Sequence, residues 1–178
     1  MSDQSQPTSA RASALPDARP AAGYAGDITP QQAWDLLVAD ERAVLVDVRT
    51  EGEWRTIGVP DASDLARDVV FDEWVTPAGP NPRFVDQLVE AGLTPGDERP
   101  VVFLCRSGQR SIGAARAATA AGLGPSYNVL EGFEGAQGFS GLRDVEGWKV
   151  RGLPTTAYPP EGTTGPHGSA TADGEGAR

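Results

Sequence analysis

Val101-Val102-Phe103-Leu104-Cys105-Arg106-Ser107-Gly108-Gln109-Arg110-Ser111-Ile112-Gly113-Ala114-Ala115-Arg116-Ala117-Ala118 joins two kinds of local order. Val101 to Leu104 is short and wholly apolar, the pattern of a strand buried on both faces. From Ser111 onward the alanine-rich composition reads as a helix. Cys105 to Arg110 must therefore turn sharply between strand and helix. The first amides of a helix lack intrahelical partners and lie at the positive end of its macrodipole, so this arrangement makes an anion-binding concavity. Cys105 is the only cysteine of the chain. Arg106 and Arg110 add two permanent positive charges beside it, and Gly108 opens loop conformations closed to other residues. Electropositive surroundings favour the thiolate, the nucleophilic form of cysteine. The sequence predicts a reactive, substantially ionised Cys105, with the backbone amides of the loop turned toward its sulfur.

Outward from this segment, strands and helices alternate. Thr29-Pro30-Gln31-Gln32 reads as a helix start, with Thr29 as N-cap, Pro30 in the first turn and Gln32 closing a capping box. Ala33, Trp34, Leu37 and Val38 would form its apolar face. Ala43 to Val48 is almost uniformly apolar and reads as a second buried strand, followed by a turn-rich segment to about Asp64. Asn81-Pro82 repeats the cap-then-proline pattern, and Phe84, Val85, Leu88 and Val89 give helical spacing up to Gly92. The helix after Cys105 runs to Gly122, and Tyr127 to Leu130 is another short strand. The fold class is therefore α/β, with a mainly parallel central sheet flanked by helices on both faces. In such sheets ligands bind beyond the carboxyl ends of the strands, where Cys105 falls.

A chain of 178 residues with low-complexity ends holds one core, of roughly 110 to 135 residues. Residues 1–22 and 158–178 are too poor in large apolar side chains to offset their ordering entropy, so both are expected to be disordered tails around a domain at 23–157. A net charge of −10 repels nucleic acid and anionic membrane. No segment approaches the apolar length of a membrane span, and the N-terminus lacks a signal-peptide layout, so a soluble, cytoplasmic protein without membrane or nucleic-acid partners is expected. A lone cysteine agrees with a reducing compartment. The single histidine, His167, lies in the C-terminal tail, which leaves few donors for a metal. No metal and no cofactor are expected, and the oligomeric state is not legible.

The segment Cys105-Arg106-Ser107-Gly108-Gln109-Arg110-Ser111 resembles the active loop of the rhodanese-like sulfurtransferases, Cys-Arg-x-Gly-x-Arg-Ser, at every defined position. Asp47-Val48-Arg49 with Glu53-Trp54 is similar to that family's Asp-x-Arg-x-x-x-Glu-aromatic element. Asn128-Val129-Leu130-Glu131-Gly132-Phe133 resembles its strand and turn after the active helix. Gly147-Trp148-Lys149 with Gly152-Leu153-Pro154 resembles its closing element, so the likeness spans about residues 24–156. It departs at Ile57-Gly58-Val59-Pro60-Asp61-Ala62, where many members carry Gly-His-Ile-Pro-Gly-Ala, and residues 66–82 have no firm counterpart. Trp74, in that stretch, fits a core or lid-packing role as well as the mouth of the site.

The resemblance implies a rhodanese-like fold and sulfur transfer through a Cys105 persulfide, from a small donor such as thiosulfate to a thiol or cyanide acceptor, with a protein persulfide as another partner. It implies Cys105 as the nucleophile, with Arg106, Ser107, Gly108, Gln109, Arg110 and Ser111 binding the substrate or persulfide. Arg106 would face solvent and bind the anionic donor, and Arg110 would brace the loop. Ser111 is either the helix cap or a direct contact to sulfur. Asp47 and Arg49 read as an ion-pair brace with Glu53 rather than as catalysts. Two alternatives compete. A cysteine-dependent phosphatase or arsenate reductase places five residues between Cys and Arg, whereas four separate Cys105 from Arg110. A non-catalytic binding module on the same scaffold often lacks the cysteine.

Overall fold

Thr29 accepts the N–H of Gln32 on its side-chain oxygen while Gln32 Oε1 accepts the N–H of Thr29 at 2.8 Å. That reciprocal cap, worth about 1 kcal/mol, fixes where the first helix begins. The structure, a computed structural model, describes residues 16–159. Its elements in chain order are β1 (Gly26–Ile28), α1 (Pro30–Ala39), β2 (Val44–Asp47), α2 (Glu51–Ile57), β3 (Val59–Pro60), a 3-10 turn (Ser63–Leu65), β4 (Val70–Phe71), β5 (Val75–Thr76), β6 (Gly79–Pro80), α3 (Phe84–Glu90), β7 (Val101–Leu104), α4 (Arg110–Ala120), β8 (Ser126–Val129) and β9 (Thr155–Thr156). Five strands form the main sheet in the order β1-β8-β7-β2-β4, and every pair in it is parallel. β3–β9 and β5–β6 are two further, separate antiparallel pairs.

Alternation along the strands separates two apolar layers. Leu45, Val102, Leu104 and Val129 pack with Ala33, Leu36 and Leu37 of α1 and with Phe133 and Trp148. Val44, Val46, Val101 and Phe103 pack on the other face with Phe84 and Leu88 of α3 and with Ala114, Ala115 and Ala118 of α4. The expected α/β sheet with helices on both faces is therefore present. Small side chains bring α4 close to the sheet. A Cβ on Gly113 would lie 2.8 Å from the indole nitrogen of Trp74, so Trp74 packs directly on α4, and its ring meets Phe84 edge-on at 5.0 Å.

Several local expectations need correction. The buried face of α1 includes Leu36 rather than Val38, which is 57% exposed, because the helix turns Val38 away from the sheet. The stretch expected to be turns up to Asp64 contains α2, started by a second capping box in which Thr50 and Glu53 bond reciprocally. Asn81 does not cap α3. Its side chain instead donates to the Glu73 carbonyl and to Gln87, and the helix begins at Phe84 with Arg83 at the cap position. The helix after Cys105 ends at Ala120, short of Gly122. Residues 16–22 lie within the segment expected to be a tail, yet Arg19 forms an antiparallel bridge to Asp27 and an ion pair with it at 2.9 Å. Tyr158, the first residue of the other expected tail, packs its ring against Trp54 and Phe71 at 5.3 and 5.1 Å; residues 1–15 and 160–178, with His167, lie outside the described residues.

Asp47 and Arg49 form the brace expected of them. Arg49 Nη2 lies 2.6 Å from Asp47 Oδ2 with both side chains fully buried, donates also to the Gly58 carbonyl at 2.8 Å, and stacks over Phe133 at 3.9 Å. Glu53 is not part of this brace. Arg49→Leu would leave the Asp47 carboxylate buried with a single backbone donor, the N–H of residue 49, and breaking one partner of a buried pair costs about 3–5 kcal/mol. Urea unfolding of that variant should show a loss in this range; a loss below 1 kcal/mol would mean the pair carries little.

Segment 66–82 supplies edge strand β4 and the β5–β6 hairpin. Asp72 follows β4, is 5% exposed, and among the described residues neither of its carboxylate oxygens has a hydrogen-bond partner. Burial pushes its carboxyl up from 3.8 to about 7, with Glu73 and Glu90 adding to the rise. A raised carboxyl binds more protons folded than unfolded between these values, so its contribution is greatest below about pH 4 and is lost as pH rises to about 7. Asp72→Asn should therefore stabilise the protein at pH 8, by about 2–4 kcal/mol, and the gain should shrink towards pH 4. Denaturation at both pH values tests this; an equal effect at each would remove Asp72 as the source.

Candidate active site

Cys105 lies just beyond the carboxyl end of the central strand β7, 1% exposed. The carbonyls on either side of the following turn are tied to other elements. The Cys105 carbonyl accepts the N–H of Phe133 at 2.7 Å, and the Arg106 carbonyl accepts those of Glu134 and Gly135 at 2.9 and 3.1 Å. The Gly108 carbonyl accepts Asn128 Nδ2 at 3.2 Å. In a trans peptide the N–H points opposite to the C=O, so the N–H groups of Arg106, Ser107 and Gln109 face away from these partners. Among the described residues, no backbone N–H from Arg106 to Arg110 donates to a protein acceptor. None of them bonds Cys105 Sγ either: the hydrogen-bond partner of the sulfur is Ser111, whose Oγ is 3.1 Å away. The loop amides expected to turn toward the sulfur therefore make no hydrogen bond to protein among the described residues.

Gly108 has φ +82°, and a Cβ there would fall 1.9 Å from the Leu130 carbonyl oxygen, so only glycine fits. Ser111 is fully buried within the first turn of α4. It does not cap the helix; Gln109 occupies the cap position, exposed and without a side-chain bond. Arg106 is exposed, and Ser107 is half-buried. Arg110 reaches across to α2, where Nη1 and Nη2 meet the two oxygens of Glu53 at 2.9 and 2.6 Å. Glu53 also accepts from the N–H and hydroxyl of Thr50 at 3.0 Å each. Burial alone would raise its carboxyl, but the bonds from Arg110 and Thr50 prevail and bring it down to about 2. Arg110 is raised in turn, because its bonds to Glu53 and the pull of that carboxylate outweigh burial. Arg110 is a neutralised brace, and among the described residues Arg106 makes no side-chain ion pair.

Three residues beyond the sequence-derived set complete the surroundings: Glu53, Asn128 and Asp27. Asn128 of β8 sits between Ser111 and Asp27 of β1. Its Oδ1 accepts from Ser111 Oγ at 2.5 Å, and its Nδ2 donates to Asp27 Oδ1 at 2.8 Å. Asp27 also accepts from the Tyr24 hydroxyl at 2.7 Å and from Arg19. Glu53 could have been found from the Thr50-x-x-Glu53 capping box; Asp27 and Asn128 carry no local signal. A broad cleft lined by Tyr24, Asp40, Glu98 and Pro125 contains no residue of the Cys105 loop.

The family model of the rhodanese-like domain matches residues 29–138. The chain belongs to the rhodanese-like domain family. Its match includes the whole Cys105–Ser111 loop, the Asp47–Arg49 brace and Glu53. The crystal structure of Rv0390 from M. tuberculosis is similar to this rhodanese-like chain at 55% identity, covering 75% of this chain and 98% of that one with a TM-score of 0.68. An uncharacterized protein of Rickettsia conorii is 35% identical over 128 residues, 72% of this chain and 94% of its own length. A polysulfide-sulfur transferase homodimer from Wolinella succinogenes aligns at 24% identity over 76% of this chain and 81% of that one, with a TM-score of 0.49. Rhodanese-like membership places the chain generally among sulfurtransferases. No helix of the described residues is long and apolar enough to cross a membrane.

Proposed function

We propose that this protein transfers a sulfane sulfur through a persulfide on Cys105. The Cys105 thiolate attacks the outer sulfur of a donor such as thiosulfate. A new S–S bond forms, the old one breaks, and sulfite leaves with the bonding pair. A thiol or cyanide then takes the outer sulfur and returns the electron pair to Cys105. This is covalent catalysis in two displacements, and double-displacement kinetics follow from it. The observation that carries the reading is the run of loop N–H groups from Arg106 to Arg110 that donate to no protein acceptor among the described residues, in the turn that directly follows a buried cysteine. Such donors stabilise an outer sulfur anion as oxyanion-hole donors stabilise an oxygen. Arg106 draws in the anionic donor, and Arg110, fixed by Glu53, holds the shape of the loop. The acceptor is a thiol, a protein persulfide is an alternative donor to thiosulfate, and the working compartment is the reducing cytoplasm, where the lone cysteine stays free.

The four residues between Cys105 and Arg110 close a smaller ring than a phosphatase loop with five, suited to one sulfur atom rather than a tetrahedral oxyanion. Turnover of thiosulfate with cyanide should exceed hydrolysis of an aryl phosphate on the same purified protein. Faster phosphate hydrolysis would overturn this reading.

A further inference from the structure

Ser111 has one hydroxyl proton and two neighbours that can take it. Cys105 Sγ is 3.1 Å from its oxygen, and Asn128 Oδ1 is 2.5 Å away. The Asn128 amide is not free to rotate. Its NH2 group lies between two acceptors, the Asp27 carboxylate at 2.8 Å and the Gly108 carbonyl at 3.2 Å, so its oxygen must face Ser111. An amide oxygen only accepts. At 2.5 Å two oxygens without a proton between them repel, so the Ser111 proton belongs to Asn128 whenever this geometry holds. The serine then turns a lone pair toward Cys105, which suits a neutral S–H that donates to it and does not suit a thiolate.

We propose that Asn128 is a positioning residue that restrains Cys105: held in one orientation by Asp27, its amide oxygen competes with the sulfur for the single proton of Ser111. The inference rests on Cys105 being the reacting group of the proposed transfer. Ionisation of Cys105 releases its proton to solvent and requires Ser111 to swing its own proton from Asn128 to sulfur. Once an outer sulfur is attached, its charge moves to the loop amides and the competition for the serine proton loses importance. The free protein is thereby kept less reactive than the loop alone would make it. Asp27 supports a constant clamp. Burial would raise its carboxyl, but bonds from Asn128, Tyr24 and Arg19 hold it below the usual range, so it stays charged at neutral pH. Of the charged groups nearest the sulfur, Arg110 of α4 is already paired with Glu53 of α2, and Arg106 of the loop is exposed to solvent.

The test is the pH profile of Cys105 alkylation by iodoacetamide, which needs no sulfur donor and so is independent of the transfer reading. Asn128→Ala frees the Ser111 proton for the sulfur, and alkylation below the midpoint of the profile should rise about fivefold, the weight of one ordinary hydrogen bond. Asn128→Leu, which keeps more of the side-chain volume, should do the same if the alanine variant fails to fold. Adding Ser111→Ala to either variant should abolish the gain, because the gain acts through that hydroxyl. A loop merely loosened by losing the bond to Gly108 would stay fast in the double variant, and that result would overturn the proposal. An unchanged or slower profile in the single variants would overturn it as well.

Discussion

Cys105→Ser is expected to lower sulfur transfer by about a thousandfold or more, the scale seen when a covalent nucleophile is removed. A serine hydroxyl is a weak nucleophile without an adjacent base, and the partner at this position is a serine, Ser111, which supplies none. The fold should survive. The replaced atom sits at 1% exposure in a layer with Val48, Phe103 and Ala114, and oxygen is slightly smaller than sulfur. Thiosulfate-to-cyanide turnover together with urea unfolding checks both halves. Undiminished turnover would place the chemistry elsewhere in the chain.

Gly108→Ala should be nearly as damaging to activity while leaving the nucleophile in place. Its Cβ would stand 1.9 Å from the Leu130 oxygen and 2.5 Å from the Leu130 carbonyl carbon, at a backbone φ of +82°. Leu130 cannot yield cheaply, since its own N–H is bonded to Ile28 at 2.9 Å. The loop must move instead, and a shift near 1 Å in a reacting constellation costs about a hundredfold in rate. The strain itself should cost about 3 kcal/mol or more in stability. Gly113→Ala makes a useful contrast. There the added methyl meets the indole of Trp74, a side chain that can swing aside, so activity and stability should fall less. If Gly108→Ala proves the milder of the two, the close approach of the loop to Leu130 does not govern the site.

The contrast between α1 and α2 shows how far the sequence could be read. Both helices begin with the same Thr-x-x-Gln/Glu box. α1 was legible because four of its ten residues are buried and give an apolar face, whereas α2 has seven residues and buries only Trp54. Without a stripe, a short helix looks like a turn. The β7–loop–α4 unit was legible because everything that shapes it is local: an apolar run, a glycine and an alanine-rich helix. The side chains that complete the site come from far along the chain. Glu53 meets Arg110 across 57 residues and Asp27 meets Asn128 across 101, and neither pairing leaves a mark at either position. Ser111 could be read as cap or contact because serine is suited to both. Only the position of Cys105 Sγ beside its hydroxyl separates them.

The most direct test is intact mass of the protein after incubation with thiosulfate, 3-mercaptopyruvate or a protein persulfide. At least one donor should add about 32 Da, one sulfur atom on the cysteine, and cyanide or a thiol should remove it again. The gain should be absent from Cys105→Ser. A mass that stays unchanged with every donor, or the same gain in Cys105→Ser, would contradict a sulfur-carrying Cys105.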